Sequence, residues 1–132
     1  MKKQVLVGLM LFFTSILVAQ NKKLVGNWKE NYHTIADTTS SGDISYREVY
    51  PEKEDERWII SIIKEKDDFW VINGSDLKVK FMYAPKTNNY YINPKNWWGI
   101  HSDLTVEYDD KNQKVLFIDE ETRITMFEFS RK

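Results

Sequence analysis

The chain has no cysteine, which excludes a disulfide framework, a thiolate metal site and a lipid-modified N-terminal cysteine. It has only two histidines, His33 and His101, and neither His-x-x-x-His nor Asp-x-Asp-x-Asp-Gly occurs, so no metal ligand set is marked. The acidic groups at Asp67-Asp68, Asp109-Asp110 and Asp119-Glu120-Glu121 read as solvated turns, not as acid/base pairs or calcium loops. No nucleophile elbow singles out a serine. The chain therefore reads as a non-enzyme, with no catalytic residue, no metal and no cofactor. Charge of either sign is not gathered into blocks: 19 basic residues face 20 acidic ones. Nucleic acid is excluded as a partner, because phosphate binding needs a basic surface that releases counterions.

A bilayer-spanning run is also missing. The longest apolar stretch, 5–19, is broken by Gly8 and Thr14-Ser15 and falls short of the roughly 20 residues a membrane helix needs. It follows Met1-Lys2-Lys3 and precedes Gln20-Asn21-Lys22-Lys23. That is the order of a secretory signal: basic start, apolar centre, small residue (Ala19) at the exit, then polar chain. The expectation is a Sec-type signal peptide over 1–19, one domain over 20–132, and a bacterial periplasmic or secreted protein that is not a lipoprotein. After cleavage no membrane span remains.

What the chain does have is aromatic rings: five Trp, seven Tyr and seven Phe. These either fill a small core or line a pocket. Turn signals recur at Ser40-Ser41-Gly42-Asp43, Asn73-Gly74-Ser75-Asp76, Ala84-Pro85-Lys86, Asn93-Pro94-Lys95-Asn96 and Asp109-Asp110-Lys111-Asn112, at strand-sized intervals. Between them, 24–33, 44–50, 57–64, 69–73, 77–83, 89–93, 104–108, 114–118 and 123–129 are rich in β-branched and aromatic residues, which predicts strands. Residues 51–66 fit two readings. Pro51 and the acids after it suit a helix start, whereas Ile59-Ile60-Ser61-Ile62-Ile63 suits a strand. The strand reading is favoured. The fold class expected is all-β, an antiparallel up-and-down meander closed into an eight- to nine-stranded barrel, because closure removes the two unpaired edges.

Gly26-Asn27-Trp28, in the first strand-like segment, resembles the first-strand signature of lipocalin-like (calycin) barrels. The resemblance implies that Trp28 plugs one end of the barrel and that a basic residue at the end of the last strand lies across it. Arg131 matches, and Arg123 is the alternative. The chain is shorter than typical lipocalins and lacks their disulfides, which implies a smaller or shallower cavity.

If Trp28 faces inward, alternation along the strand puts Gly26, Glu30 and Tyr32 on its side and Asn27, Lys29, Asn31 and His33 in solvent. A carboxylate inside a small barrel must be paired, hydrogen-bonded or wet. Two functions follow. One is a secreted lipocalin-like protein binding a small apolar or amphipathic molecule in the barrel, with Tyr32, Trp58, Trp70, Tyr83, Trp97 and Trp98 as ligand-binding residues. The other is a compact filled barrel that binds another protein through the Trp97-Trp98 loop, resembling small periplasmic protease inhibitors.

Overall fold

The computed structural model describes residues 23–73, 77–94 and 102–132. It has ten strands: β1 Gly26–Thr38, β2 Ile44–Val49, β3 Ile59–Glu65, β4 Asp68–Asn73, β5 Leu77–Lys80, β6 Met82–Ala84, β7 Asn89–Ile92, β8 Leu104–Asp109, β9 Lys114–Asp119 and β10 Thr125–Arg131. Among the described residues a single 3-10 turn, Glu54–Glu56, precedes β3. Every pairing is antiparallel, in the order β5-β4-β3-β1-β10-β9-β8-β7-β6, with β2 on β1. The two ends of this order, β5 and β6, are consecutive in the chain and separated by Phe81 alone. Phe81 N–H donates to Phe69 O at 2.8 Å, and the next residue, Met82, pairs with Tyr91 of β7. The chain thus crosses from one sheet edge to the other, leaving an all-antiparallel sheet nearly closed into a barrel, compatible with the lipocalin-like fold.

The ambiguous segment divides between its two readings. The acids after Pro51 form one 3-10 turn, and the isoleucines form β3, where Ile60 and Ile62 are fully buried while Ile59 is 41% exposed. That is a period of two, which no helix produces. Burying each of those side chains is worth about 1.5–3 kcal/mol. β2 and β3 are two pieces of one return strand along β1. β2 pairs along His33 to Thr38 and β3 along Gly26 to Lys29, and between the two runs residues 50–58 lie opposite only 30–32.

Strand direction defines two ends. β1 and β8 run in opposite senses between them. The segment 23–25, the turns after β3, β6 and β8, and the end of β10 share the end where β1 begins, called here the closed end. The opposite, open end holds the segment 50–58, the end of β7, the start of β8 and the β9–β10 turn. The core between them is built from Trp28, Ile60, Ile62, Val71, Val115, Phe117 and Phe129, each fully buried, with Phe81, Leu104 and Phe127 beside them. Four turn residues other than glycine have positive φ: Lys66, Asn88, Gln113 and Arg123. Among the described residues no helix is long and apolar enough to cross a membrane.

Candidate functional site

At the closed end the Gly-x-Trp segment and the end of β10 meet as expected. Trp28 pairs with Arg131 across β1 and β10, and the guanidinium carbon lies 4.3 Å from the indole centroid. Arg131 Nη1 donates to Val25 O at 2.8 Å and Nη2 donates to Lys23 O. Trp28 Nε1 donates to Leu24 O at 2.8 Å. Gly26 has φ +143°, and a Cβ there would stand 2.5 Å from Arg131 Nη1. The glycine is thus required twice, for its backbone angle and for the space the guanidinium fills. Arg123 lies in the turn before β10, at the other end, 3.9 Å from Glu107.

Further along β1 the register with β10 shifts between Glu30 and Tyr32: Glu30 faces Phe129 and Tyr32 faces Glu128. Asn31 is the extra residue of a β-bulge, and its Nδ2 donates to Glu128 Oε2 at 3.0 Å and to Ser130 Oγ at 2.6 Å. Past a bulge the alternation changes phase. Tyr32 therefore does not share the inner face with Trp28, contrary to the sequence expectation, and His33 faces inward instead, opposite buried Phe127.

The change of phase brings His33 onto Glu30, whose carboxylate is fully buried. Glu30 Oε2 lies 2.7 Å from His33 Nδ1, and its Oε1 accepts from the Trp58 N–H at 3.3 Å. The backbone completes the clasp: Glu30 N–H donates to Trp58 O at 2.8 Å, and Arg57 Nη1 donates to Glu30 O at 3.1 Å. Both carboxylate oxygens are satisfied, which is what burial of the group requires. Glu30 thus ties segment 50–58 to the barrel through both its backbone and its side chain, beside the Lys29–Glu54 ion pair. The His33 ring stacks on Trp58 at 5.7 Å and 6°, Trp58 on Phe127 at 6.2 Å and Phe127 on Phe129 at 6.3 Å. Phe129 meets Phe117 edge-on at 5.7 Å. A continuous column of rings runs through the interior toward the floor.

Outside, the β1–β2 hairpin projects as an arm. Among the described residues β2 pairs only with β1, and Ile44, Tyr46 and Tyr50 are 61%, 41% and 59% exposed. On the outer face Tyr32, Thr34, Tyr46, Arg47, Glu48, Ile124 and Thr125 line a recess of about 290 Å³. Tyr32 and Tyr50 stand 5.2 Å apart, and Tyr50 Oη donates to Glu48 Oε2 at 2.5 Å. That hydrogen bond, with lesser contributions from burial and nearby carboxylates, pushes the Tyr50 phenol up to about 12. Tyr32 is raised too, first by burial and then by the negative charges of Glu128 and Glu48. Arg47 is held by Asp37, Nε to Oδ2 at 2.7 Å.

Of the residues expected to bind a ligand, the four that are described, Tyr32, Trp58, Trp70 and Tyr83, are not brought together. Tyr32 is on the outer face and Trp58 inside near the open end. Trp70 is outside, between inward Phe69 and Val71, with Lys78 Nζ 4.6 Å from its ring centroid. Tyr83 is at the closed-end rim, 5.3 Å from Tyr90, with its hydroxyl on Asn88 Oδ1 at 2.6 Å. Near it, where β4 and β6 part, lies a second recess of about 350 Å³. Trp97, Trp98 and His101 lie outside the described residues. Sequence reasoning marked Glu30 but placed His33 in solvent, because a bulge leaves no compositional signal, and it missed Arg57, Tyr46 and Tyr50, whose partners are set by the pairing of the return strand along β1. Among the described residues no cluster of three or more His, Cys, Asp or Glu is placed to hold a metal. Against this geometry, comparisons with protein-family models, curated proteins and solved structures return no match to the chain.

Proposed function

We propose that this chain is a compact, filled barrel of the calycin type, exported to the periplasm or beyond, that works as a protein-binding module through its β1–β2 arm. The observation that carries the reading is the edge of β2, unpaired among the described residues, with Ile44 and Tyr46 on the strand and Tyr50 just after it in solvent. Soluble proteins usually shorten, cover or charge such an edge, and one that bears exposed apolar and aromatic side chains is a template for another chain. The aromatic column supports the same reading, since rings occupy the volume that a barrel binder keeps for its ligand. The calycin assignment rests on the arrangement of Gly26, Trp28 and Arg131.

The test is photocrosslinking in the host, with a benzophenone amino acid replacing Tyr46 or, as a control, Tyr83. A discrete protein adduct from position 46 that disappears when Arg47→Pro breaks the strand supports the reading. No adduct from position 46 refutes it.

A second reading has its own observation. Fully buried Glu30 and the His33 ring, still 24% exposed, form a polar pair toward the open end of an apolar interior, where an amphipathic small molecule would place its head group. Native mass spectrometry of the exported protein decides for this reading if a stoichiometric small molecule is released on denaturation.

A further inference from the structure

The edge of β2 and the recess beside it have a specific chemistry. The recess, at about 290 Å³, falls just below the range of roughly 300–1,000 Å³ typical of small-molecule sites. It suits one long side chain. Its walls are the phenol rings of Tyr32 and Tyr46 and the Glu48 carboxylate, and Tyr50 packs on Tyr32. Ring faces and a carboxylate attract a cation. The charges that face this region are Glu48, Glu128 and Arg47. Arg47 is already paired with Asp37, and Glu128 is shared between Lys114 at 3.5 Å and Asn31. Glu48 accepts a hydrogen bond from the neutral phenol of Tyr50. Burial first raises the pKa of Tyr32 and the hydrogen bond to Glu48 first raises that of Tyr50, and the carboxylates of Glu48 and Glu128 add to both.

An added strand beside β2 places every second side chain opposite Tyr46 or Glu48, with Cβ atoms about 5 Å apart across the pair. The second copy of β2 itself fits poorly. Antiparallel self-pairing centred on Arg47 or on Glu48 sets like charges face to face, and pairing centred on Tyr46 sets Ile44 against Glu48.

We infer that β2 takes an extended, positively charged segment of the partner protein as an added strand, seating a lysine or arginine side chain in the Tyr32–Tyr46 recess against Glu48. This rests on the protein-binding reading and names the chemistry of the partner.

The experiment is an NMR titration of the isotope-labelled exported protein with three nine-residue peptides: one alternating lysine with threonine, its counterpart with glutamate for lysine, and the lysine peptide N-methylated at every second residue. The lysine peptide shifts the amides of 44–50. The glutamate peptide binds at least about tenfold more weakly, and the N-methylated peptide loses binding because its ladder donors are blocked. Glu48→Gln weakens the lysine peptide about fivefold and reduces its salt sensitivity, with amide shifts outside the arm unchanged. Equal binding of the lysine and glutamate peptides overturns the cationic partner, and N-methylation without effect overturns strand addition. No shift from the lysine peptide at millimolar concentration overturns the whole inference. In that case a Tyr46 adduct in the host leaves the protein-binding reading standing, and the absence of both removes both.

Discussion

Replacing Gly26 by alanine tests the closed end at its tightest point. The backbone there has φ +143°, and the new Cβ would stand 2.5 Å from Arg131 Nη1, closer than real Cβ contacts allow. Holding an L-residue in that conformation costs about 1–3 kcal/mol. The guanidinium can swing away, but it then leaves the Trp28 ring and the carbonyls of Val25 and Lys23. For a partly solvated arginine these contacts together are worth about 1–2 kcal/mol. Gly26→Ala should therefore destabilise by about 2–5 kcal/mol, read from urea unfolding followed by tryptophan fluorescence.

A double-mutant cycle with Arg131→Ala separates the two causes. Without the guanidinium, Gly26→Ala pays only the backbone cost, so the two changes should be less than additive by at least about 1 kcal/mol. Additivity within about 0.5 kcal/mol would refute the claim that the glycine makes room for Arg131. A cost for Gly26→Ala below about 1 kcal/mol would refute the backbone argument as well.

Trp58→Ala breaks the ring column between His33 and Phe127. It should cost about 2–4 kcal/mol and open the interior to an apolar fluorescent probe that the native protein excludes; unchanged stability and no probe signal would mean the ring does not fill the core. Tyrosinate absorbance against pH should show one phenol titrating near 12, brought down toward its ordinary value by Glu48→Gln. Because the folded value lies above the unfolded one of about 10, this group's stabilisation holds below pH 10 and is lost between about 10 and 12. Asp119 is driven up by burial, but hydrogen bonds from the Thr122 N–H, Ser102 hydroxyl and Glu121 N–H outweigh that and leave it below the usual carboxylate range. Its stabilisation is present above about pH 4 and lost as pH falls through the lowered value, so Asp119→Asn should be less stable at neutral pH and lose less than the native protein between pH 5 and pH 2 in urea melts. Gln113→Gly relieves a φ of 54° and should raise stability by about 0.5–1 kcal/mol; a loss would place the value of Gln113 in its side-chain bonds to Asp110 and Tyr108.

The strands were legible because their buried faces repeat every second residue, as at Ile60 and Ile62 or Val115 and Phe117. The closed end was legible because glycine, tryptophan and a terminal arginine stand at the two strand positions that closure brings together. The parity of Tyr32 and His33 was not. A bulge adds one residue to one strand and is decided by the partner, here by the bonds of Asn31 to Glu128 and Ser130, nearly a hundred residues away in sequence. The 51–66 segment was half legible for a related reason. Its acids and its isoleucines each signalled their own element, but nothing local said that a 3-10 turn and a strand would follow one another. Exposed tyrosines on β2 could not be told from core tyrosines, since ring content alone does not say which face is covered.

The bulge at Asn31 links the two faces of the molecule. Without it, strict alternation would put Tyr32 inside and His33 outside, leaving the Glu30 carboxylate without its imidazole partner in an apolar barrel. With it, Glu30 gains His33 and, through Trp58, a hold on the return strand. The same step turns Tyr32 outward onto Tyr50 and completes the recess on the arm. Taking Asn31 up as a bulge thus preserves both the polar clasp inside and the aromatic wall outside. The two are set together: a straight ladder that kept Asn31 would turn His33 outward and carry Tyr32 out of the recess, whereas deleting Asn31 itself should preserve both orientations, because Tyr32 then follows Glu30 directly. The arm is therefore not an appendage that could be trimmed without consequence, because the register that exposes its tyrosines is the register that satisfies the buried acid.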